Sequence, residues 1–496
     1  MGAANTLRWM DHVELRRWMN ELIDGIEECR APNGYIMAYP EDTILESERG
    51  AYTRAWVTHG LIDAGYAGNS KAFDLLRGYY DWFDKCPELP KLLRGAAQGV
   101  QGMIANTRMY FTPQGKPEDI QVIQRYYQEN YWLEAMAERD TEVIWQYPYD
   151  RPHNYLITDL EAYLDLYRAT GDTRYFEAMK GAWDVYHDNW EHVGGSIAIT
   201  EFGQFPPKSY RLVAQEPFCE TGETCGSVFW TRFNQRFQML DPEKEEYASE
   251  IEKSIYNVGL ANQVRSSGII YHARLVGQKG DLAVPLCTNS CCEGQGTRLL
   301  GSLPEYIYSL TDDGIYVNLY EPSTIRWKHA SSELTLTLSG SFPHRPDVKL
   351  HITTAAPAGA KIRIRVPGWA AGAMSINVNG AKAATADPAS YITLDRTWSN
   401  GDIITFRLPM ELKLTRYIGL DKIEGHERFA LEYGPILLAL VGSDSAVLKI
   451  EGVGQIKPDP DRPLRFNIDG HPDYSYIPYW NVLSEPFTCF PVIDRA

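Results

Sequence analysis

The chain has no apolar run of 18 residues, so nothing in it reads as a membrane-spanning helix. Its first residues, Met1-Gly2-Ala3-Ala4-Asn5-Thr6-Leu7-Arg8-Trp9, lack the apolar core of a secretory signal, and the expected address is cytoplasmic. Positive charge is short as well. With 48 Lys and Arg against 65 Asp and Glu, the formal net charge is −17, which argues against nucleic acid or an anionic membrane as a partner. Cysteine is scarce, at 8 in 496 residues, and unevenly spread. Cys29, Cys86 and Cys489 stand apart, whereas Cys219, Cys225, Cys287, Cys291 and Cys292 fall close together. A disulfide framework would be more regular, and a reducing compartment disfavours one. Clustered thiols there point to metal or catalysis.

Hydrophobic residues make up 44% and charged residues 23%, the balance of a globular protein. The length calls for two or three domains. Aromatic residues are plentiful, with 31 Tyr and 13 Trp. Such rings serve as flat platforms for sugars, but large helical cores bury them too. Up to about residue 310 the apolar period is helical. Leu156, Leu160, Tyr163, Leu164 and Tyr167 share one face, and Phe229, Phe233, Phe237 and Leu240 make another stripe. Gly171 follows the first stripe as a C-cap, and the next helix is expected near Arg174–Trp190. About nine such segments are counted, joined by loops rich in Gly and Pro, which suggests an array like an α/α-barrel. After Tyr308 the period becomes two, with Asn379-Gly380 and Asn400-Gly401-Asp402 as turns, and this reads as a β-sandwich. The expected fold is mainly α with β, divided into residues 1–310, 311–445 and a final segment 446–496 that completes the sandwich or packs on the barrel.

The chemistry concentrates in two runs. One is Glu223-Thr224-Cys225-Gly226; the other is Cys291-Cys292-Glu293-Gly294. Three thiols and a carboxylate suit a four-coordinate zinc, since thiolate matches its softness and a Glu oxygen completes the tetrahedron. Residues 223 and 225 lie two apart, so an extended backbone would point both the same way. The plain alternative is a set of buried structural thiols, with or without a structural zinc. Adjacent cysteines fit an ordinary zinc finger poorly, because the Cys-x-x-Cys spacing is absent.

These runs resemble the double-cysteine and Glu-Thr-Cys signatures of glycoside hydrolase family 127, the β-L-arabinofuranosidases. The resemblance continues through Arg298-Leu299-Leu300 to Tyr308, and in the sandwich through Arg365-Val366-Pro367-Gly368-Trp369, Val378-Asn379-Gly380, Trp398-Ser399-Asn400-Gly401-Asp402 and Tyr433-Gly434-Pro435. It implies an (α/α)6 barrel with β-sandwich and a zinc held by Glu223, Cys225, Cys291 and Cys292. It further implies that Cys291 is the nucleophile. The acid/base it implies is a Glu after a Gly-Gly pair, here Glu201 after Gly194-Gly195, with Glu216 and Glu220 as rivals because the intervening loop is long. The implied reaction is a retaining exo-glycosidase acting on β-L-arabinofuranosides or a similar uncommon sugar.

His59, His153 and His192 are candidate substrate contacts, each weighed against an ordinary structural role. Trp369 and Trp398 read as sandwich core. Relatives of this kind carry further helices before the region matching Asp11–Tyr39, so an exposed apolar flank and a homo-oligomer, most simply a dimer, are expected. The expected partner is a small oligosaccharide or glycoside. A two-carboxylate glycosidase with a structural zinc, and a non-catalytic carbohydrate-binding or assembly protein, stay open at this point.

Overall fold

A computed structural model of the chain describes residues 1–41, 48–85, 107–126, 130–146, 153–197, 222–264, 268–279, 291–329 and 332–494. Helices dominate up to Ile307, and strands dominate from Tyr308. The described residues hold thirteen α-helices before Tyr308, more than the periodicity suggested. Several of the additional ones are short: Gly2–Leu7, Thr141–Gln146 and Pro304–Ile307 span too few turns to establish a 3.6-residue pattern. None of the described helices is long and apolar enough to cross a membrane.

Tight turns fold the longer helices back on one another. Gly171 takes φ +73° after the His153–Thr170 helix, and the Asp172 carboxylate accepts the Arg174 N–H at 3.1 Å to cap Thr173–Asn189. Thr224–Leu240 is different, because every residue from Thr224 to Gln238 is buried. Such a helix has no solvent face, so its polar groups need internal partners. Arg232 and Arg236 find Glu161 and Asp165 on the His153–Thr170 helix, at 3.3 and 3.2 Å, and Asn234 accepts from the Trp183 indole at 2.8 Å.

Two sheets follow, packed face to face. The first runs Ala381–Ala386, Met374–Val378, Ile403–Arg407, Asp347–Thr354, Ser332–Gly340, Ser323–His329, antiparallel throughout. The second runs Ser390–Trp398, Ala358–Val366, Gly314–Val317, Tyr308–Thr311, with one parallel pairing between its middle strands. Leu336, Leu350 and Ile376 of one sheet share a core with Ile315, Ile362 and Ile364 of the other, so the pair is a β-sandwich. A third sheet joins Leu412–Arg416, Phe429–Tyr433 and Ile436–Val441 to Ser475–Pro478, Phe466–Ile468 and Ile456–Pro458, and thus draws strands from both sides of residue 445.

The sandwich is fastened to the helices by the Arg365-to-Trp369 run. Arg365, fully buried, reaches Glu245 at 3.0 Å and Glu252 at 2.6 Å, and the Trp369 indole donates to Glu252 at 2.6 Å. Trp398 lies in the sandwich core with its indole on the Ala360 carbonyl at 2.9 Å. Trp369 belongs to the seam between the regions as well as to the edge of that core. The third sheet also touches the helical region: Phe487–Thr488 pairs with Val276–Gly277, and Ala261, Ala273 and Leu275 pack with Leu437 and Phe487.

Candidate metal and catalytic centre

Two helix beginnings meet at one point. Cys225 is in the first turn of Thr224–Leu240, and Cys291 and Cys292 open Cys291–Ser302. Glu223 is the N-cap of the former, in extended conformation at φ −62° and ψ 134°. The expectation of one extended stretch through 223 and 225 therefore holds only for Glu223; the helix starts before Cys225, and the two side chains converge across the cap. Glu223 is fixed by an antiparallel bridge to His272, flanked by Thr224 N–H to Tyr271 C=O and Ala273 N–H to Gly222 C=O, each 3.0 Å. Gly222 makes this possible. It has φ +75°, and a Cβ there would collide with the Ala273 carbonyl.

One donor atom from each of Glu223, Cys225, Cys291 and Cys292 lies within 4.8 Å of all the others. Cys225 and Cys292 sulfurs are 3.4 Å apart, and Cys292 Sγ is 3.6 Å from Glu223 Oε1. Burial pushes the Cys225 and Cys292 thiols well above the usual range; Cys291 and Cys292 raise Cys225 further, and Cys291 and Glu223 raise Cys292 against a lowering hydrogen bond with Cys225. Four soft and anionic donors thus share a largely buried site, which is the chemistry of a divalent metal site. The positive dipole ends of the two helix beginnings favour negative sulfur in the same place. The thiols differ in access: Cys225 and Cys292 are wholly buried, and Cys291 is partly exposed. Cys291 Sγ is 3.6 Å from the Tyr271 hydroxyl.

The other candidates fall in different surroundings. His59 is buried, its Nδ1 lies 2.7 Å from Arg108 Nη1, and its ring stacks on Trp56 at 5.5 Å. Trp56 in turn stacks on Phe229, one turn beyond Cys225. Burial, with Arg108 next, holds the His59 imidazole well below its ordinary pKa, so it is neutral. His192 is folded into its own turn, where Nδ1 accepts the Gly194 N–H at 2.9 Å; burial and Lys253 push it down to about 3. That turn abuts the centre, since Ser196 Oγ is 3.5 Å from the Glu223 carbonyl. His153 begins the His153–Thr170 helix, and its side chain is outside the described residues. Glu201, Glu216 and Glu220 also lie outside them. Tyr271 and His272 were missed by sequence reasoning. Their signal is the short segment Ile270-Tyr271-His272-Ala273, a polar aromatic pair flanked by apolar residues between the two motif runs.

Comparison with known proteins gives a consistent picture. Residues 1–305 match the family described as "Beta-L-arabinofuranosidase, GH127 catalytic domain", and residues 314–410 match "Beta-L-arabinofuranosidase, GH127 middle domain". A non-reducing end β-L-arabinofuranosidase of Bifidobacterium longum subsp. longum is 26% identical over 266 residues, half of this chain but 39% of that protein. The match thus spans about two fifths of that relative. Among solved structures, a GH127 β-L-arabinofuranosidase from Geobacillus stearothermophilus T6 has a TM-score of 0.75 at 17% identity, over 99% of this chain and 89% of that one. A structure titled a glycoside hydrolase has a TM-score of 0.77 at 18% identity, over 100% and 91%. These likenesses concern the fold. An (α/α)6-barrel-like helical region followed by a β-sandwich is the architecture of this chain.

Proposed function

We propose, on the premise that the chain belongs to glycoside hydrolase family 127, that it is a retaining exo-glycosidase with Cys291 as nucleophile, acting on β-L-arabinofuranosides or a similar uncommon sugar. The observation that carries this reading is the unequal access of three converging thiols: two are sealed, and Cys291 alone keeps a side open. Glu223, Cys225, Cys291 and Cys292 would hold a zinc ion, and they fit it in number, softness and burial. Zinc bound there supplies the positive charge that keeps the sulfurs deprotonated at neutral pH.

In this mechanism the Cys291 sulfur attacks the anomeric carbon while the bond from that carbon to the leaving oxygen breaks. A carboxylic acid, assigned here to Glu201 with Glu216 and Glu220 as rivals, gives its proton to the leaving oxygen. The resulting carboxylate then takes a proton from water, whose oxygen displaces the sulfur. Two inversions give retention. His59, His153 and His192 are proposed to face or frame the sugar; His192 would act by fixing the Gly194–Ser196 turn, and the neutral His59 as a hydrogen-bonding group. Residues 1–310 are proposed as the catalytic unit, with 311–445 and 446–496 supporting it.

Incubation with a p-nitrophenyl β-L-arabinofuranoside, followed by mass spectrometry of Glu201→Gln, tests the reading. The expected result is a pentose-sized adduct on the Cys291 peptide and about one zinc per chain by elemental analysis. An adduct on a carboxylate would favour the two-carboxylate mechanism instead. Absence of hydrolysis on any furanoside or pyranoside would favour a binding protein. We further infer a homo-oligomer, supported by the outward Val13, Trp18 and Leu22 of the Val13–Glu28 helix, 50–82% exposed. Light scattering across dilution checks it, and a monomer throughout would overturn it.

A further inference from the structure

Glu223 stands at the head of the Thr224–Leu240 helix, yet its carboxylate makes no capping hydrogen bond there and has Oε1 3.6 Å from Cys292 Sγ. A helix start is ordinarily held by its N-cap side chain. Here other groups hold it. On one side is the pairing with Tyr271–Ala273 described above. On the other is Asn262, fully buried, whose Nδ2 donates to the Gly222 carbonyl at 3.2 Å and to the Thr224 hydroxyl. That hydroxyl donates in turn to the Ile270 carbonyl at 2.9 Å, and the Ile270 N–H bonds to the Asn262 carbonyl at 2.8 Å. One side-chain amide therefore grips the residue before Glu223 and the residue after it. Asn262 follows a π-helical turn, Ile255–Gly259, which presses on the other thiol-bearing helix: a Cβ on Gly259 would stand 3.0 Å from Leu299 Cδ2.

We propose that Asn262 and Thr224 are positioning residues for the Glu223 carboxylate. They act through the peptide on either side of Glu223, which they lock so that the carboxylate is in place before metal arrives and slow to swing away afterwards. The ordering cost is met by the fold instead of by the binding step. The inference rests on the reading of Glu223 as a metal ligand. Asn257, on the same π-helical turn, offers an internal comparison. It is equally buried, donates to the Lys253 and Pro435 carbonyls at 2.9 and 3.0 Å, and accepts the Leu437 N–H at 2.8 Å. Its hydrogen bonds serve the third sheet and not the cap.

The test mixes the full-length zinc-loaded protein with an excess of a chromogenic chelator and reads the rate of zinc release. Glu223→Gln is the reference and should release zinc faster than the parent. Asn262→Leu and Thr224→Val should each release it at least about tenfold faster than the parent, the usual effect of losing a group that orients a ligand. Thr224→Ser keeps the hydroxyl and should stay within about threefold of the parent. Asn257→Leu should lower the urea midpoint yet release zinc at the parental rate. Asn262→Leu leaves the Gly222 carbonyl its Ala273 N–H and the Thr224 hydroxyl its Ile270 acceptor, so it should fold; if it does not, the Thr224→Val and Thr224→Ser pair decides. Parental release in Asn262→Leu and Thr224→Val, with Glu223→Gln fast, would overturn the positioning role and leave the ligand standing. Fast release in Asn257→Leu would also overturn it, because loosening anywhere on the segment would then suffice. A parent without zinc, or a Glu223→Gln protein that releases it no faster, would remove the ligand itself and this inference with it.

Discussion

Two buried clusters in the helical region have similar ingredients and opposite character. At the seam with the sandwich, Arg365 faces Glu245 and Glu252, and Trp369 and Ser249 complete their hydrogen bonds. At the helix beginnings, Glu223 and three thiols converge on one point. In the first, opposite charges of the protein meet one another, and its work is attachment. The second gathers four donors suited to a metal ion, with one of its thiols partly exposed. Burial alone does not distinguish a fastening from a candidate metal centre; the chemistry of the donors does.

That contrast can be broken in a definite order. The largest effect is expected from Cys291→Ser, which should lower kcat/KM by at least about 10³-fold while zinc content stays measurable by elemental analysis, because three ligands remain. Near-native turnover in that variant would place the reaction elsewhere. Next comes Arg365→Met, which strands Glu245 and Glu252 in the seam and should cost about 3–5 kcal/mol by denaturant unfolding. The surviving folded fraction should turn over normally if the clamp is attachment alone. A smaller loss, about 1–3 kcal/mol, is expected from Gly222→Ala, which needs φ +75° and drives a Cβ at the Ala273 carbonyl. Because Glu223 follows directly, this variant should also release metal faster to a chelator, whereas Arg365→Met should not.

The smallest effect concerns His187, beside Glu191 and Glu250. Burial opposes its charge, but Glu250 and Glu191 outweigh burial and hold the imidazole up to about 9. A raised pKa stabilises the fold fully below the unfolded value near 6.5 and loses that contribution as pH climbs through 9. With the side chain 37% exposed, the loss should stay below about 1 kcal/mol. Urea midpoints at pH 6 and pH 9.5 should differ more in the parent than in His187→Gln; equal differences would assign the pH dependence to other groups.

The two-part architecture was legible because period 3.6 gives way to period 2 at one place, near Tyr308. The turn at Gly171-Asp172 was legible because few residues tolerate positive φ and few side chains cap a helix. Short helices such as Thr141–Gln146 were not, since six residues carry no periodic information. Nor does alternation reveal that Gly314–Val317 runs parallel to Ala358–Val366. For the site, the residue types announced metal chemistry, but only resemblance joined runs 66 residues apart. Tyr271 was hidden among 31 tyrosines, and its place beside Cys291 follows from a pairing with residues 222–224 that no local pattern encodes.

That pairing has a consequence in time. The segment that brackets Glu223 is itself pinned from behind: Cys489 N–H bonds to Leu275 C=O at 2.7 Å, Thr488 pairs with Val276, and the Tyr479 hydroxyl donates to Arg274 C=O at 2.5 Å. During synthesis on a ribosome the thiol-bearing helices emerge some 200 residues before these last contacts exist. The helical array can collapse early, but the wall that aligns Glu223 and Tyr271 is finished only once residues 479–489 have emerged. Maturation of the centre therefore waits for a segment some 200 residues further along the nascent polypeptide, and deleting residues 475–494 should damage a site held through the segment 273–277 that they pin.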